Sequence, residues 1–577
     1  MAAPLITLQL GSFANWVGAH LWNLQDEAIA QSAQPDWAGL SAAVDHTVLC
    51  AWSEDRHGGV RYCPRSVVVD LSGALGGVSF SPDAGHAADP AAGGGGAWGG
   101  AVEVHSLRPA AAKGRYRREL EAAAAAADGG DARALAAAAA ALEAAALSLH
   151  EEEAAQPKFW TDYLQVDLRA AATLTLPGAW QGLSAWDGWA PAEESSSSRD
   201  TAEAAVEQVR RWAEQCDKLQ GLQVLADDTG GWGAFSLGVV QELREQFPSH
   251  ALVYWALREQ QPPPSTGGGD GRRAARRLLS EAVSMSEVTQ LASLYVPLTA
   301  PGGAGGAFQR AALLAAGIDC ATLPLRCTGA DTPAGAAVGS TDLHSLHHLL
   351  SGQAPNLAAL ALQLPAGLVP DAAAGGGGGG SGGAGTGGGS SEALSLDGSR
   401  AQLLTAGVEL APERCLAESL TLRGAAARAG GLASVCQARQ ALDAQLLQRQ
   451  RQVSGRPCVA HSCVTPVPVA LPLSFPSGLA GGGVARSVAR SAGVLPVPLL
   501  SRPGAGPVPA PGALSRLTAT SSFERVLSAA ARSLGAAGPG RGCVEEWGYG
   551  AGDAAELRER LLQLAGRYAG DDCDDEA

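Results

Sequence analysis

Cys216-Asp217-Lys218-Leu219-Gln220-Gly221-Leu222-Gln223, with Thr229-Gly230-Gly231-Trp232-Gly233 a few residues on, is the stretch whose reading decides the fold. Residues 222–226 form an apolar strand that runs into a glycine turn. A helix follows over 233–246 and closes at Arg244-Glu245-Gln246-Phe247-Pro248. Strand, glycine turn and helix make a phosphate cradle when the first N–H groups of the helix aim at an anion. Trp232 and Phe235 weigh against that use, because an indole in the turn blocks close approach of backbone to phosphate. Asp227 and Asp228 put two negative charges beside the same place, which repel a nucleotide unless a cation intervenes.

The chain opens with the same layout. Residues 5–10 read as a strand, Gly11 turns it, and Val17, Leu21 and Leu24 recur at helical spacing. Ser66-Val67-Val68-Val69-Asp70-Leu71 reads as a second buried strand, fit for a parallel sheet covered on both faces. A further strand is expected at 251–256, and helices at 202–219, around 311–316, at 416–452, 521–536 and 554–568. The fold class is therefore α/β, a nucleotide-binding type of parallel sheet with flanking helices. A more helical second half with long low-complexity insertions follows. The expected segments are 1–80, an Ala/Gly-rich insertion at 81–155 with one or two exposed helices or partial disorder, 156–350, a Gly/Ser-rich flexible linker at 351–400, and a mixed helical region at 401–577 with a Pro-rich loop at 457–511.

The 577 residues are 46% hydrophobic, but much of this is alanine, which buries little area, so the effective core is smaller than the percentage implies. A net charge of −16 excludes nucleic acid and anionic lipid as natural partners. The short basic clusters at 115–118 and 272–277 read as solvated faces. Eleven scattered cysteines and no secretory pattern at the start predict reduced thiols in the cytosol. No apolar run is expected to reach the roughly 20 residues of a membrane span, so any membrane association is expected to be peripheral.

Several stretches resemble known sequences. The run before Gly230 resembles the "LQGFQ" that precedes the glycine loop of the tubulin/FtsZ superfamily, and Arg244 to Pro248 resembles its "REEYP". Tyr62-Cys63-Pro64-Arg65-Ser66-Val67-Val68-Val69-Asp70-Leu71 is similar to tubulin's "VPRAVFVDLE". In detail the wording resembles the misato family, a divergent tubulin-like branch, here of an algal- or plant-like kind with Ala/Gly-rich insertions. The matching positions are Ile6 to Gly11, Asn15, Val17, Gly18, His20 and Trp22-Asn23-Leu24-Gln25-Asp26. Trp160-Thr161-Asp162-Tyr163-Leu164 and Ile318-Asp319-Cys320-Ala321-Thr322-Leu323-Pro324-Leu325-Arg326 extend the likeness.

The resemblance implies a non-catalytic role in mitochondrial distribution, morphology and inheritance, in the cytoplasm and on the outer mitochondrial face. It implies protein partners: tubulin, the cytosolic chaperonin, or outer mitochondrial membrane proteins. Two alternatives stand: a GTP-binding polymerising protein, and a tubulin- or chaperonin-associated factor for microtubule assembly. If nucleotide binds at all, the candidate residues are Gly11, Ser12, Asn15, Asp70, Gly230, Gly231 and Gly233. Departures from tubulin argue against catalysis. Ser12 stands where tubulin has a glutamine, and Ser72 follows Leu71 where tubulin has a carboxylate that serves the metal. No catalytic residue, metal ligand or resident cofactor is expected, with GTP the only candidate. His344, His347 and His348 read as an exposed polar helix face, and Cys458, His461 and Cys463 as isolated residues in a loop.

Overall fold

In the computed structural model the described residues are 3–33, 43–54, 60–78, 112–151, 157–176, 196–259, 270–302, 305–328, 338–352, 354–364, 401–424, 432–452, 458–476, 512–535 and 545–569. Most of the linker expected at 351–400 lies outside them, but 359–363 within it form a strand. Residues 196–198 and 270–271, which sequence alone would give to loops, open helices instead.

The first sheet is built from β1 (Leu5–Leu10), β4 (Ser66–Leu71), β5 (Thr173–Leu176), β6 (Gly221–Asp227), β7 (Ala251–Leu257) and β8 (Leu294–Leu298). Its order is β5-β4-β1-β6-β7-β8 and every pairing is parallel. β1, β4, β6, β7 and β8 are buried along their whole length. That is why they read as continuous apolar runs rather than alternating ones. A two-stranded ribbon, β2 (Cys50–Glu54) with β3 (Val60–Pro64), leads into β4.

Helix α1 (Ser12–Ser32) is buried on every side over its first half. Such a helix has no polar face to the solvent and lies inside the molecule. It packs on β1 and, on its other side, on a later helix at Ala307–Thr322. Gly18 is required by the close pass over β1: a Cβ there would fall 2.1 Å from the Gln9 side chain. The polar residues of α1 therefore need partners inside the molecule. Trp22 Nε1 donates to Gln9, Asn23 Nδ2 to the Tyr163 carbonyl (2.7 Å), and Gln25 Nε2 to Asp319 (2.6 Å). The His20 ring packs against Tyr163 and Phe308, 4.5 and 4.8 Å between centroids.

In the segment expected at 81–155 the described residues form two helices, and these are docked rather than exposed. α2 (Arg115–Asp128) and α3 (Ala132–Glu151) pack on each other, and Tyr116, Leu120, Ala123, Leu142 and Leu149 join the main core. Alanine-rich helices with sparse large residues look solvent-facing in sequence, yet those few side chains suffice to dock them. Ala132–Leu149 is also one described stretch long and apolar enough, by length and composition, to cross a membrane. Its apolar character comes mainly from alanine.

α4 (Ser196–Ala213) ends six residues earlier than expected. α5 (Gly230–Gln246), α6 (Asp270–Leu291) and α7 (Ala307–Thr322) complete the first layer of helices. The second half then carries α8 (Leu343–Ser351), α9 (Leu432–Gln452), α10 (Phe523–Ser533) and α11 (Ala551–Ala569). It also carries a five-stranded sheet of β9 (Ala359–Gln363), β10 (Gln402–Leu403), β11 (Cys415–Arg423), β12 (Val459–Thr465) and β13 (Ala513–Thr520), in the order β10-β9-β13-β11-β12. Two expectations are corrected here. Residues 416–423 are a strand, not the start of a helix, and the Pro-rich region begins with a strand. α7 lies between α1 and this second sheet and joins the two halves.

One buried carboxyl tests the interior directly. Glu27 on α1 is buried and accepts a hydrogen bond from Gln31 (3.2 Å). Burial first, then neighbouring Asp26, push its carboxyl up to about 8. A folded-state value above the unfolded one means that ionisation costs stability, from the ordinary carboxylate range upward, and levels off above about 8. Glu27→Gln is expected to stabilise the chain by about 1–3 kcal/mol at neutral pH and to have no effect in acid. Thermal melts of both proteins across pH check this, and a constant difference at all pH values contradicts it.

Candidate active-site crevice

β4, β1 and β6 lie side by side and end together. Leu10 is opposite Val69 on one side and Ala226 on the other. The next residues, Asp70, Gly11 and Asp227, therefore form a row across the carboxyl ends of three parallel strands. This is where open α/β sheets hold ligands, at the point where the chain turns to either side of a central strand.

The row is filled by its own side chains. Gly11 adopts φ 121° and ends β1, so that α1 starts at Ser12. The first N–H groups of a helix need an acceptor. In α1 the acceptor is Asp227, whose carboxylate takes Phe13 N–H at 3.0 Å and Ala14 N–H at 2.7 Å. A carboxylate from β6 thus occupies the anion position that a phosphate would take.

Asp70 is equally engaged. One of its oxygens accepts from Ser12 Oγ (2.8 Å) and from the Leu71 N–H (2.7 Å). The other accepts from Asn15 Nδ2 and from Trp160 Nε1, both at 3.0 Å. Four donors leave no oxygen of Asp70 open to a cation in this arrangement. Burial pushes the carboxyls of Asp70 and Asp227 above their ordinary range, against the donors that pull them down.

The second glycine turn lies next to the first. Gly230 has φ 61°, and Gly231 and Gly233 sit in the first turn of α5 with Thr229 as its cap residue. All three glycines are buried. Trp232 is buried as well, edge-on to Phe235 with 5.9 Å between ring centroids. Gly233 N–H returns to the Thr229 carbonyl (3.2 Å). Asp228 faces the other way: Arg258 Nη2 holds it at 2.9 Å and the Tyr295 hydroxyl donates to it at 2.7 Å. Neither acid of the pair is left to repel or attract a ligand.

All seven expected residues are thus brought to one end of the sheet. Gly11, Ser12, Asn15 and Asp70 form one bonded cluster, and the three glycines form the adjoining turn. Sequence reading treated Asp227 as a repulsive charge and missed it as the cap of α1. Its contacts lie 213 and 214 residues away, and the only local signal is an acid at the end of a strand opposite a glycine. Trp160 was visible as part of a motif but not as a donor to Asp70.

The two other clusters resolve differently. His344 and His348 approach to 3.0 Å between their Nε2 atoms, while Leu343, Leu346 and Leu350 face inward from the same helix. Cys458, His461 and Cys463 do not converge. Cys458 meets Cys415 (3.0 Å), Cys463 meets Cys327 (3.9 Å), and His461 lies between Ser419 Oγ and the Gly339 carbonyl.

Comparison with known proteins agrees with this architecture. Residues 4–122 match the family described as Misato Segment II tubulin-like domain, and residues 154–327 match the one described as Tubulin domain. Protein dml1 of Aspergillus clavatus is 24% identical over 359 residues, covering 60% of this chain and 65% of that protein. Protein misato homolog 1 of Homo sapiens is 25% identical over 352 residues, covering 56% and 60%. Protein dml-1 of Neurospora crassa is 25% identical over 337 residues, covering 56% of each. The match thus spans less than two thirds of each of these relatives. With a parallel sheet, paired glycine turns and these matches in agreement, the chain belongs to the misato family of tubulin-like proteins.

Proposed function

We propose that this chain is a non-catalytic tubulin-like scaffold acting in mitochondrial distribution, morphology and inheritance. Its place is the cytoplasm and the outer mitochondrial face, and its partners are proteins. Tubulin, the cytosolic chaperonin and outer-membrane proteins are the classes to examine. One observation supports the non-catalytic part. The Asp227 carboxylate sits on the first N–H groups of α1, where a nucleotide phosphate would have to bind. A nucleotide would need to displace a buried carboxylate and to approach a second one, Asp70, across a short distance of low dielectric. The mitochondrial part rests on family membership.

Calorimetry of GTP with magnesium against nucleotide-free protein tests the first part. No heat of binding is expected up to millimolar nucleotide. Tight binding with turnover would instead support the polymerising GTPase. For the second part, depletion of the protein in its own cells should collapse or fragment the mitochondrial network. A normal network alongside a disordered microtubule array would shift the role to tubulin assembly.

A further inference from the structure

β11 and β12 run parallel as neighbours, with Ala417 opposite Val459. Along a regular strand Cys415 and Glu418, three residues apart, point to opposite faces. β11 is not regular there. Its pairing with β13 shifts register between Cys415 and Ala417. A bulge of this kind adds one residue and turns the side chain before it to the other face, so Cys415 comes round to the side of Glu418. Cys458, just ahead of β12, meets it from the next strand, with the two sulfurs 3.0 Å apart. One ligand atom from each of Cys415, Glu418 and Cys458 lies within 4.8 Å of the other two.

We propose that these three side chains bind one thiophilic divalent cation, a zinc ion. The carboxylate is already oriented as metal-ligating carboxylates are, by hydrogen bonds from behind. Arg449 Nη1 reaches both its oxygens (3.1 and 3.2 Å) and Arg516 Nη2 one of them (3.0 Å). The two guanidinium groups also offset the negative charge that two thiolates and a carboxylate would concentrate. Gln450 Nε2 holds the Cys458 carbonyl at 2.8 Å and fixes the approach to the strand. Cys415 and Glu418 are buried and Cys458 is half-buried, so the ion enters from the Cys458 side.

Two sulfur ligands select a soft or borderline ion over magnesium or calcium, and three protein ligands leave the fourth tetrahedral position to water. Binding forms two sulfur–zinc bonds, and any proton held by either thiol leaves to solvent as its bond to the metal forms.

The test uses the full chain, reduced, stripped with a chelator, and carrying His344→Ala and His348→Ala to remove the surface imidazole pair. Zinc is titrated against a chromophoric chelator, and cobalt(II) is added in a parallel experiment. The expected result is one zinc per chain and a thiolate-to-cobalt charge-transfer band. Cys415→Ser and Cys458→Ser should each abolish the band and weaken zinc binding by about tenfold or more. If Cys415→Ser fails to fold, the half-buried Cys458→Ser decides alone. Unchanged affinity in the serine variants overturns the proposal. So does a protein that takes up no zinc, and a loss of two hydrogens in intact mass on hydrogen peroxide treatment that is absent from Cys458→Ser would then make the pair a disulfide.

Discussion

Asp319→Ala is expected to destabilise the chain by about 3–5 kcal/mol, because it leaves two arginines buried without their shared counter-ion. Asp319 lies near the end of α7, fully enclosed. Arg326 Nη2 donates to one of its oxygens at 2.6 Å, and Arg423 Nη1 donates to the other. Gln25 from α1 adds a third donor at 2.6 Å. The acid thus ties α1, α7 and β11 together across the joint between the two halves. Both guanidiniums are about 3% exposed, too little for water to take over the role of the lost carboxylate. Asp319→Asn keeps the shape and removes the charge, so it should lose most of the same stability. A melting temperature unchanged in both variants would show that the arginines find other partners.

The pH dependence of the same cluster has two steps. The two arginines pull the Asp319 carboxyl, against the opposing effect of burial, from 3.8 down to about 2. A depressed folded-state value means stability that is present above the unfolded value and lost as pH falls toward about 2. His46, beside the cluster, is pushed from 6.5 down to about 4, by burial and then by Arg326. Its contribution is lost earlier, as pH falls from about 6.5 to about 4. Melts of the wild type should therefore decline in two stages on acidification. His46→Gln should flatten the upper stage and Asp319→Asn the lower.

The parts of the fold legible in sequence are those whose burial is complete and local. β1, β4, β6 and β7 are mostly apolar runs, the first three ending at a glycine or an acid, and their reading needs no partner. β11 fails for the opposite reason. Cys415-Leu416-Ala417-Glu418-Ser419-Leu420-Thr421-Leu422-Arg423 has a charged residue in the middle and helix formers around it. Glu418 is tolerated inside a sheet only because Arg449 and Arg516 reach it from 31 and 98 residues away. Tertiary contacts overrode local propensity there. β13 was missed because it follows a proline-rich run and precedes a strong helix, which drew the reading to itself. In the crevice the residue types and the strand ends were legible. That the molecule supplies its own anion was not, since Asp227 and α1 meet only after the sheet has formed.

Gly11→Ala carries that last point to an experiment. Its backbone, at φ 121° and ψ 158°, lies where side chains are strongly disfavoured, at a cost of about 1–3 kcal/mol. A Cβ would also fall 2.6–2.8 Å from three side-chain atoms of Asp227. The acid has nowhere to retreat without leaving the Phe13 and Ala14 N–H groups, and a lost helix cap costs about 0.5–2 kcal/mol more. The expected loss is about 2–5 kcal/mol, read as a lower melting temperature. Gly129→Ala is the control. That glycine has φ −73° and only ordinary contacts around its Cβ, so the change should stay within about 0.5 kcal/mol. The comparison separates backbone strain and crowding from any general effect of adding a methyl group. If Gly11→Ala melts like the wild type, Asp227 is not locked onto α1. The helix terminus would then be open to a phosphate, and the case for a nucleotide in the crevice would stand again.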